Sequence, residues 1–295
     1  MQKVIAIVGP TASGKTALGV ALARKLRGEI ISADSRQIYR GMDVIAGTPR
    51  KAEMRGVPHH LLRVADPRRQ YSAGRFAREG ARLIADIARR GKVPIVVGGT
   101  GFYADALLSH PPLPQVAPNA KLRAKLARKE APQLFTLLKR LDPRRAADID
   151  PHNKVRLIRA IEIAEALGAV PPRTASASDR VLDVLWLGTN PSPAGHFRAI
   201  RKRVNAHLRR GLVAEARRLR ARLSKKRYEA LGAEFAFLAE YLDGKISKKE
   251  LATKLERWEL VYAKRQRRFL RRTANIVWLR TPREALARTK AFLKD

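Results

Sequence analysis

The sequence predicts an α/β protein, a parallel sheet flanked by helices and interrupted by an all-helical insertion. Three observations carry that expectation. A β-branched run, Val4–Val8, passes straight into a glycine turn and an amphipathic helix. Apolar runs of strand length then recur between helical patterns, as in a parallel sheet. Residues 112–180 carry helical periodicity and no strand pattern. The 295 residues suffice for one large domain with a smaller insertion, so the expected division is a core of 1–111 with 181–295 and an insertion of 112–180.

The turn after the first strand reads Gly9-Pro10-Thr11-Ala12-Ser13-Gly14-Lys15-Thr16, the phosphate-loop pattern G-x-x-x-x-G-K-[ST] between strand and helix. Glycines let the backbone turn its N–H groups toward phosphate oxygens, Lys15 adds a charge, the Thr16 hydroxyl suits Mg²⁺, and the helix N-terminus favours an anion. A di- or triphosphate site and a P-loop NTPase-like core follow, without deciding which phosphate compound binds. Leu18, Leu22 and Leu26 mark the buried face of the next helix.

Glu29–Ser32 reads as the second strand, ending in Ala33-Asp34-Ser35-Arg36-Gln37. Loops at the carboxyl ends of parallel strands line the ligand crevice, which brings Asp34, Ser35 and Gln37 toward the phosphate loop. Asp34 is equally suited to capping a helix, and the residues alone leave both roles open. Residues 41–56 read as loop and His59–Val64 as a strand; adjacent strand residues face opposite ways, which argues against a shared metal for His59 and His60. A helix over Ser72–Arg90 follows, capped by Ser72, then a strand over Lys92–Val97 and a second glycine turn, Gly98-Gly99-Thr100-Gly101. In the insertion, helices are expected over 119–130, 132–141 and 154–168, divided by Pro132 and Asp142-Pro143. The core resumes with a strand at Val181–Leu187, helices at Phe197–Arg210, Leu212–Leu223 and Lys248–Arg272, and a strand at Asn275–Leu279. In the last long helix Leu251, Leu255, Trp258, Tyr262 and Phe269 recur at helical spacing as a core face, against a surface of Lys264, Arg267, Arg268, Arg271 and Arg272.

Lys and Arg number 62 against 26 acidic residues, a formal charge of +36 spread through the chain. Such an excess favours a polyanionic partner, since neutralised phosphates release counterions, although a generally basic proteome would give the same sign. There is no cysteine, hence no disulfide framework or thiolate zinc site. No apolar run is long enough to span a membrane and the first strand starts near Met1, so a cytoplasmic protein without a signal peptide is expected.

Several of these segments together resemble the tRNA dimethylallyltransferase family, the enzymes that prenylate an adenosine beside the anticodon. The matching segments are GPTASGKT at Gly9–Thr16, ISADSRQIYRGMD at Ile31–Asp43, PHHLL at Pro58–Leu62, YSAGRF at Tyr71–Phe76, VPIVVGGTGFY at Val93–Tyr103, LDP at Leu141–Pro143 and YAKRQ at Tyr262–Gln266. Two segments depart from the family pattern. Val44–Pro49 replaces the usual IGTAKP, and Ala230-Leu231-Gly232-Ala233-Glu234-Phe235 stands where AIGYKE is usual, losing an aromatic and a basic residue at a tRNA-contacting place.

The resemblance implies a donor, dimethylallyl diphosphate, held by Gly9–Thr16 with Mg²⁺ on Thr16. It implies Asp34 as general base, Thr100 as the residue that places the nucleophile, and Lys15 against the leaving diphosphate. Asp34, Ser35, Arg36, Gln37 and Thr100 would meet the nucleotide, and Arg123 with Val155, Arg156, Leu157, Ile158 and Arg159 the tRNA. The implied partner is the anticodon stem-loop, whose target base must be turned out of its stack, and a monomer is expected. The competing readings are a phosphate-loop kinase of small molecules, a prenyltransferase of free adenine nucleotides, and an RNA-binding protein without catalysis.

Overall fold

Two layers of apolar side chains, one on each face of a parallel sheet, organise the core. A computed structural model describes residues 1–108, 113–172, 182–273 and 275–294. Six parallel strands, β1 (Gln2–Val8), β2 (Gly28–Ser32), β3 (His59–His60), β4 (Val93–Gly98), β5 (Leu182–Thr189) and β6 (Val277–Leu279), form one sheet in the order β3-β2-β4-β1-β5-β6. Strand alternation splits β1 between two faces. Val4, Ala6 and Val8 pack on one side with Ile31 and Val96, and Ile5 and Ile7 on the other with Ile30, Ile95 and Leu187.

The first helices are α1 (Lys15–Leu26), α2 (Lys51–Met54), α3 (Ala73–Arg89) and α4 (Gly101–Leu108). Next come α5 (Ala120–Ala127), α6 (Ala131–Leu141), α7 (Pro143–Asp148) and α8 (Lys154–Leu167). The chain then forms α9 (Pro193–Arg209), α10 (Leu212–Arg222), α11 (Lys225–Glu229), α12 (Glu234–Leu242), α13 (Lys248–Leu270) and α14 (Pro282–Lys294). Helix α1 covers the second face of the sheet through Leu18 and Leu22, joined by Ala285 of α14. The first face carries α3 through Phe76, Ile84 and Ile87, together with the later helices through Ile200, Leu219, Phe235, Leu251 and Leu255.

Chain contacts divide the protein into two compact units, residues 1–109 with 180–295, and residues 110–179. The second unit is all helical among its described residues and has a core of its own, centred on Leu126, Leu134, Leu138, Leu157 and Ile161. The expected junctions at 111–112 and 180–181, and Val181 itself, lie outside the described residues.

Three local differences from the expected elements have clear causes. The strand at His59 stops after His60 because Leu61 and Arg63 adopt left-handed backbone (φ 60° and 56°), which ends a ladder. Asp142-Pro143 was expected only as a break, yet it starts α7: Asp142 caps by accepting from Arg145 N at 2.8 Å, and Pro143 sits at the first helical position, where it suits the fold. Helix α9 begins four residues earlier than Phe197, at Pro193, because Ser192 accepts from Gly195 N and Pro193 opens the first turn.

Candidate active site

The carboxyl ends of β1, β4 and β2 lie side by side, and their loops meet in one cleft. Gly9 leaves β1 against Thr189 of β5, whose side chain a Cβ would strike. Gly14 has open space around it but φ +84°, and Ala12 has φ 55°, so the loop turns through left-handed backbone twice before α1 starts at Lys15. The close approach of β2 and β4 is fixed by Gly98, since a Cβ there would collide with the carbonyl of Ala33. Across that approach Ala33 N donates to Val97 O (2.8 Å), Thr100 N to Ala33 O (3.2 Å), and Ser35 N to Thr100 Oγ1 (3.0 Å).

Asp34 is held by its own turn. Its Oδ1 accepts from Arg36 N at 2.9 Å and Gln37 N at 3.4 Å, while Oδ2 has no hydrogen-bond partner among the described residues. No helix starts here, so Asp34 closes a turn with one oxygen and does not cap a helix, which leaves the other oxygen for a different partner. Thr100 Oγ1 donates to Ser35 Oγ (3.3 Å) and lies beside the Tyr262 hydroxyl, whose pKa is raised by burial and by the Asp34 charge. Gln37 is largely engaged: its carbonyl accepts from Ser32 Oγ (2.9 Å) and its amide donates to Gly47 O (3.2 Å), leaving one N–H. The Arg36 guanidinium forms an ion pair with Glu234 and lies over the Tyr262 ring, 5.6 Å from its centroid.

Lys15 points back over the loop, donating to Pro10 O at 3.1 Å. Burial lowers its pKa to about 8, with Asp34 acting in the opposite sense and Arg203 reinforcing the fall. Lys15, Thr16, Asp34, Arg36 and Gln37 all line the cleft, which has a volume of about 920 Å³ including the space open to solvent. Among the described residues the Thr16 hydroxyl has no hydrogen-bond partner, and no group of three or more His, Cys, Asp or Glu could hold a metal alone. A metal here would take Thr16 as a single protein oxygen and draw its other ligands from bound phosphate and water, the habit of Mg²⁺.

Residues not anticipated as part of the site hold the loop from behind. Gln266 of α13 accepts from Thr11 N at 2.8 Å and donates to Gly99 O at 2.8 Å, joining the two glycine turns through one amide. Thr11 Oγ1 donates to Glu259 (3.2 Å), which also receives Arg203 of α9 (3.3 Å). His196 Nε2 donates to Thr11 O at 2.7 Å, and Arg267 donates to its Nδ1 at 2.6 Å, a pattern that requires the neutral ring and agrees with its lowered pKa. The Thr11 N–H is thus spent within the protein, leaving the following loop amides for an anion. Trp258 and Tyr262, expected in the core, are half-buried and line the cleft with stacked rings 6.4 Å apart.

The sequence-derived tRNA candidates lie in the helical unit. Arg123 is engaged by buried Glu162 through Nε (2.9 Å) and Nη2 (2.7 Å), and Arg159 pairs with the same carboxylate. Leu157 is fully buried in that unit's core, Ile158 packs against it, and Val155 and Arg156 are exposed. The paired histidines are structural: His60 contacts Glu29 at 2.8 Å and His59 Nδ1 contacts Val57 O at 2.8 Å.

A family model described as IPP transferase matches residues 37–273. The chain belongs to the IPP transferase family. Its identity as an enzyme, a prenyltransferase, stands with that membership. The phosphate loop precedes the matched stretch, and full-length relatives span it. A tRNA dimethylallyltransferase of Roseiflexus castenholzii is 41% identical, with 100% of this chain and 98% of the relative covered. One of Thermomicrobium roseum is 40% identical over 94% of this chain and 86% of its own. Among solved structures, a eukaryotic dimethylallyltransferase acting on tRNA superposes with a TM-score of 0.84 at 26% identity, covering 100% of this chain and 80% of that one. The tRNA isopentenylpyrophosphate transferase of Bacillus halodurans gives 0.73 at 32% identity, covering 100% and 96%.

Proposed function

We propose that the protein transfers the dimethylallyl group of dimethylallyl diphosphate to the exocyclic amine of the adenosine that follows the anticodon in tRNA, releasing diphosphate. The observation that carries this reading is Asp34: its unpartnered Oδ2 shares a cleft with Lys15 and Thr16, so a proton acceptor and an anion cradle serve one reaction. The allylic C–O bond breaks with its electron pair on diphosphate, and the growing charge is met by Lys15 and the N–H groups opening α1. The adenine nitrogen bonds the allylic carbon and its proton passes to Asp34 Oδ2. Thr100, held by Ser35 and Tyr262, orients that nitrogen.

Mg²⁺ suits the free Thr16 hydroxyl and, when bound, would neutralise part of the diphosphate charge. The target base has to leave its stack in the anticodon loop, and Tyr262 and Trp258 offer it aromatic faces at the cleft. In the helical unit, Arg156 and Val155 are the exposed contacts, Arg123 and Arg159 present guanidinium groups ordered by Glu162, and Leu157 and Ile158 hold the helix that carries them. The same reading takes the protein as a monomer acting in the cytoplasm.

The test is to incubate the protein with Mg²⁺, labelled dimethylallyl diphosphate and unmodified tRNA, then digest the RNA and assay prenylated adenosine. Product from the parent protein and a loss of about 10³-fold in Asp34→Ala is expected. Equal product from Asp34→Ala would refute the assigned base, and no product from either protein would refute the reaction.

A further inference from the structure

A second hollow lies on the core unit outside the cleft, with a volume of about 1140 Å³ including the space open to solvent. Its wall is cationic. Arg40, Arg68, Arg69 and Arg75 line it, against the single carboxylate of Asp66. That carboxylate is already taken, since Arg68 donates to both its oxygens, through Nε at 3.1 Å and Nη2 at 2.6 Å. Arg68, with a smaller contribution from Arg40, holds its pKa down at about 2. Arg75 gives Nε to Glu79 (2.7 Å) and lies over the Tyr71 ring, 4.8 Å from its centroid. The Arg40 and Arg69 side chains are exposed and have no carboxylate partner among the described residues.

The backbone that carries these side chains is fixed from several directions. Arg40 N donates to Ala65 O (2.9 Å), Tyr71 N to the Tyr39 hydroxyl (3.0 Å), and the Tyr103 hydroxyl to Tyr71 O (3.1 Å). From α11, Arg227 donates to Pro67 O at 2.7 Å and to Arg69 O at 3.1 Å, with its guanidinium over the Tyr39 ring. A loop held in place before a ligand arrives loses little freedom on binding. It also keeps like charges together, a repulsion that an anion relieves. Guanidinium groups match phosphate in shape as well as in charge. The one aromatic ring among the lining residues, Tyr71, is buried beneath Arg75, so the hollow offers a base no face to stack on. Phosphate contacts of this kind position a nucleic acid without reading its sequence. The hollow is broad and open, which suits a polymer lying across it better than a small ion enclosed within. Two chain connections set it beside the cleft. Arg40 is three residues from the cleft-lining Gln37, at most about 11 Å along the backbone. Helix α11 leads on to Glu234 in the cleft wall.

We propose that this arginine hollow is a second RNA site, holding backbone phosphates of the tRNA whose target base occupies the cleft. This deepens the reading of the protein as a tRNA enzyme and rests on it. The hollow contributes affinity and orientation, and takes no part in donor binding or in the transfer itself.

The experiment titrates the full-length protein with unmodified tRNA in the absence of donor, for the parent, for Arg40→Gln with Arg69→Gln, and for Arg24→Gln with Lys25→Gln. The last pair removes the same charge from exposed positions on α1 and serves as the control. Loss of two phosphate contacts should weaken binding about tenfold near physiological salt and reduce the slope of log K against log salt by about two, while the control changes affinity by less than about twofold. In the transfer assay the Arg40 and Arg69 variant should show a raised KM for tRNA and the parent's KM for dimethylallyl diphosphate. Equal weakening in both double variants would assign the effect to overall charge and overturn the site. Unchanged tRNA binding, with loss of inorganic phosphate binding by calorimetry, would overturn it in favour of a free-anion site. The expected loss of tRNA binding, found together with no prenylated product from the parent, would support the site and refute the reaction. A parent protein that binds no tRNA would overturn both.

Discussion

Lys15 is pulled in two directions, and pH separates them. Burial lowers its pKa to about 8, whereas a bound diphosphate would raise it again. Diphosphate favours the protonated amine, so affinity for dimethylallyl diphosphate, measured by calorimetry from pH 7 to 9.5, should fall by up to about tenfold per unit above pH 8. Stability moves the other way. The unfolded lysine binds its proton up to 10.5, so the ligand-free protein should gain stability as pH rises from about 8 toward 10.5. Opposite trends for binding and melting temperature are the signature; parallel trends would exclude Lys15 as the group responsible. At this scale the sequence was most legible where chemistry is local. Gly14, Lys15 and Thr16 work through their own backbone and side chains, and the motif announces them. Arg123 was not legible in the same way, because its partner Glu162 comes from another helix and converts an apparent free cation into half of an ion pair.

The elements behind the site are joined by side chains whose partners are far away in sequence. Gln266 links the two glycine turns across 255 and 167 residues. Gln266→Ala would release both, and a displacement of about 1 Å in the loop lowers rates by about 10²-fold; single-turnover transfer measures this, and an unchanged rate would show the loop to be held by Glu259 and His196 alone. At the amino end of the sheet, Glu29 of β2 is buried and receives Arg90 (2.5 and 2.8 Å), Lys92 (2.6 Å) and His60, which together hold its pKa well below the usual range. Glu29→Gln should cost about 2 kcal/mol at neutral pH. A depressed carboxylate stabilises above its unfolded pKa and loses that contribution on acidification, so urea midpoints of parent and variant should converge as pH falls below 4.5. Helical periodicity identified the inward face of α13 through Leu251 and Leu255, yet it could not tell that Trp258 and Tyr262 on the same stripe meet a cleft and not a core. Spacing fixes which side chains share a face. It does not fix what that face meets.

For the whole molecule, charge and division into units are the governing quantities. The net +36 is not consumed by the site, where Arg36, Arg203 and Lys15 are balanced by Glu234, Glu259 and Asp34. If the remainder binds tRNA phosphates, raising salt from 50 to 200 mM should weaken tRNA binding by about 10³-fold or more; a change below tenfold would assign the charge to another cause. The parallel sheet was legible because β1 and β4 are compact apolar runs, each followed by a helix. The strand order was not, since β1 pairs with β4 past β2 and β3 and with β5 past the helical unit, and no local signal records those pairings.

The hold of α13 on Thr11 sets a timetable for synthesis. The phosphate loop is among the first segments made, but its clasp, Gln266, is among the last. At ribosomal rates of about 5–20 residues per second, roughly 10–50 s pass between the two. During that interval β1 also waits for β5 as its second neighbour. The nascent chain therefore carries an unfastened anion cradle, and the organised cradle first arises together with the basic helix that fastens it. A polypeptide ending before Lys248 should have the motif in full and bind diphosphate poorly, because the order of manufacture makes the first-written segment the last to mature.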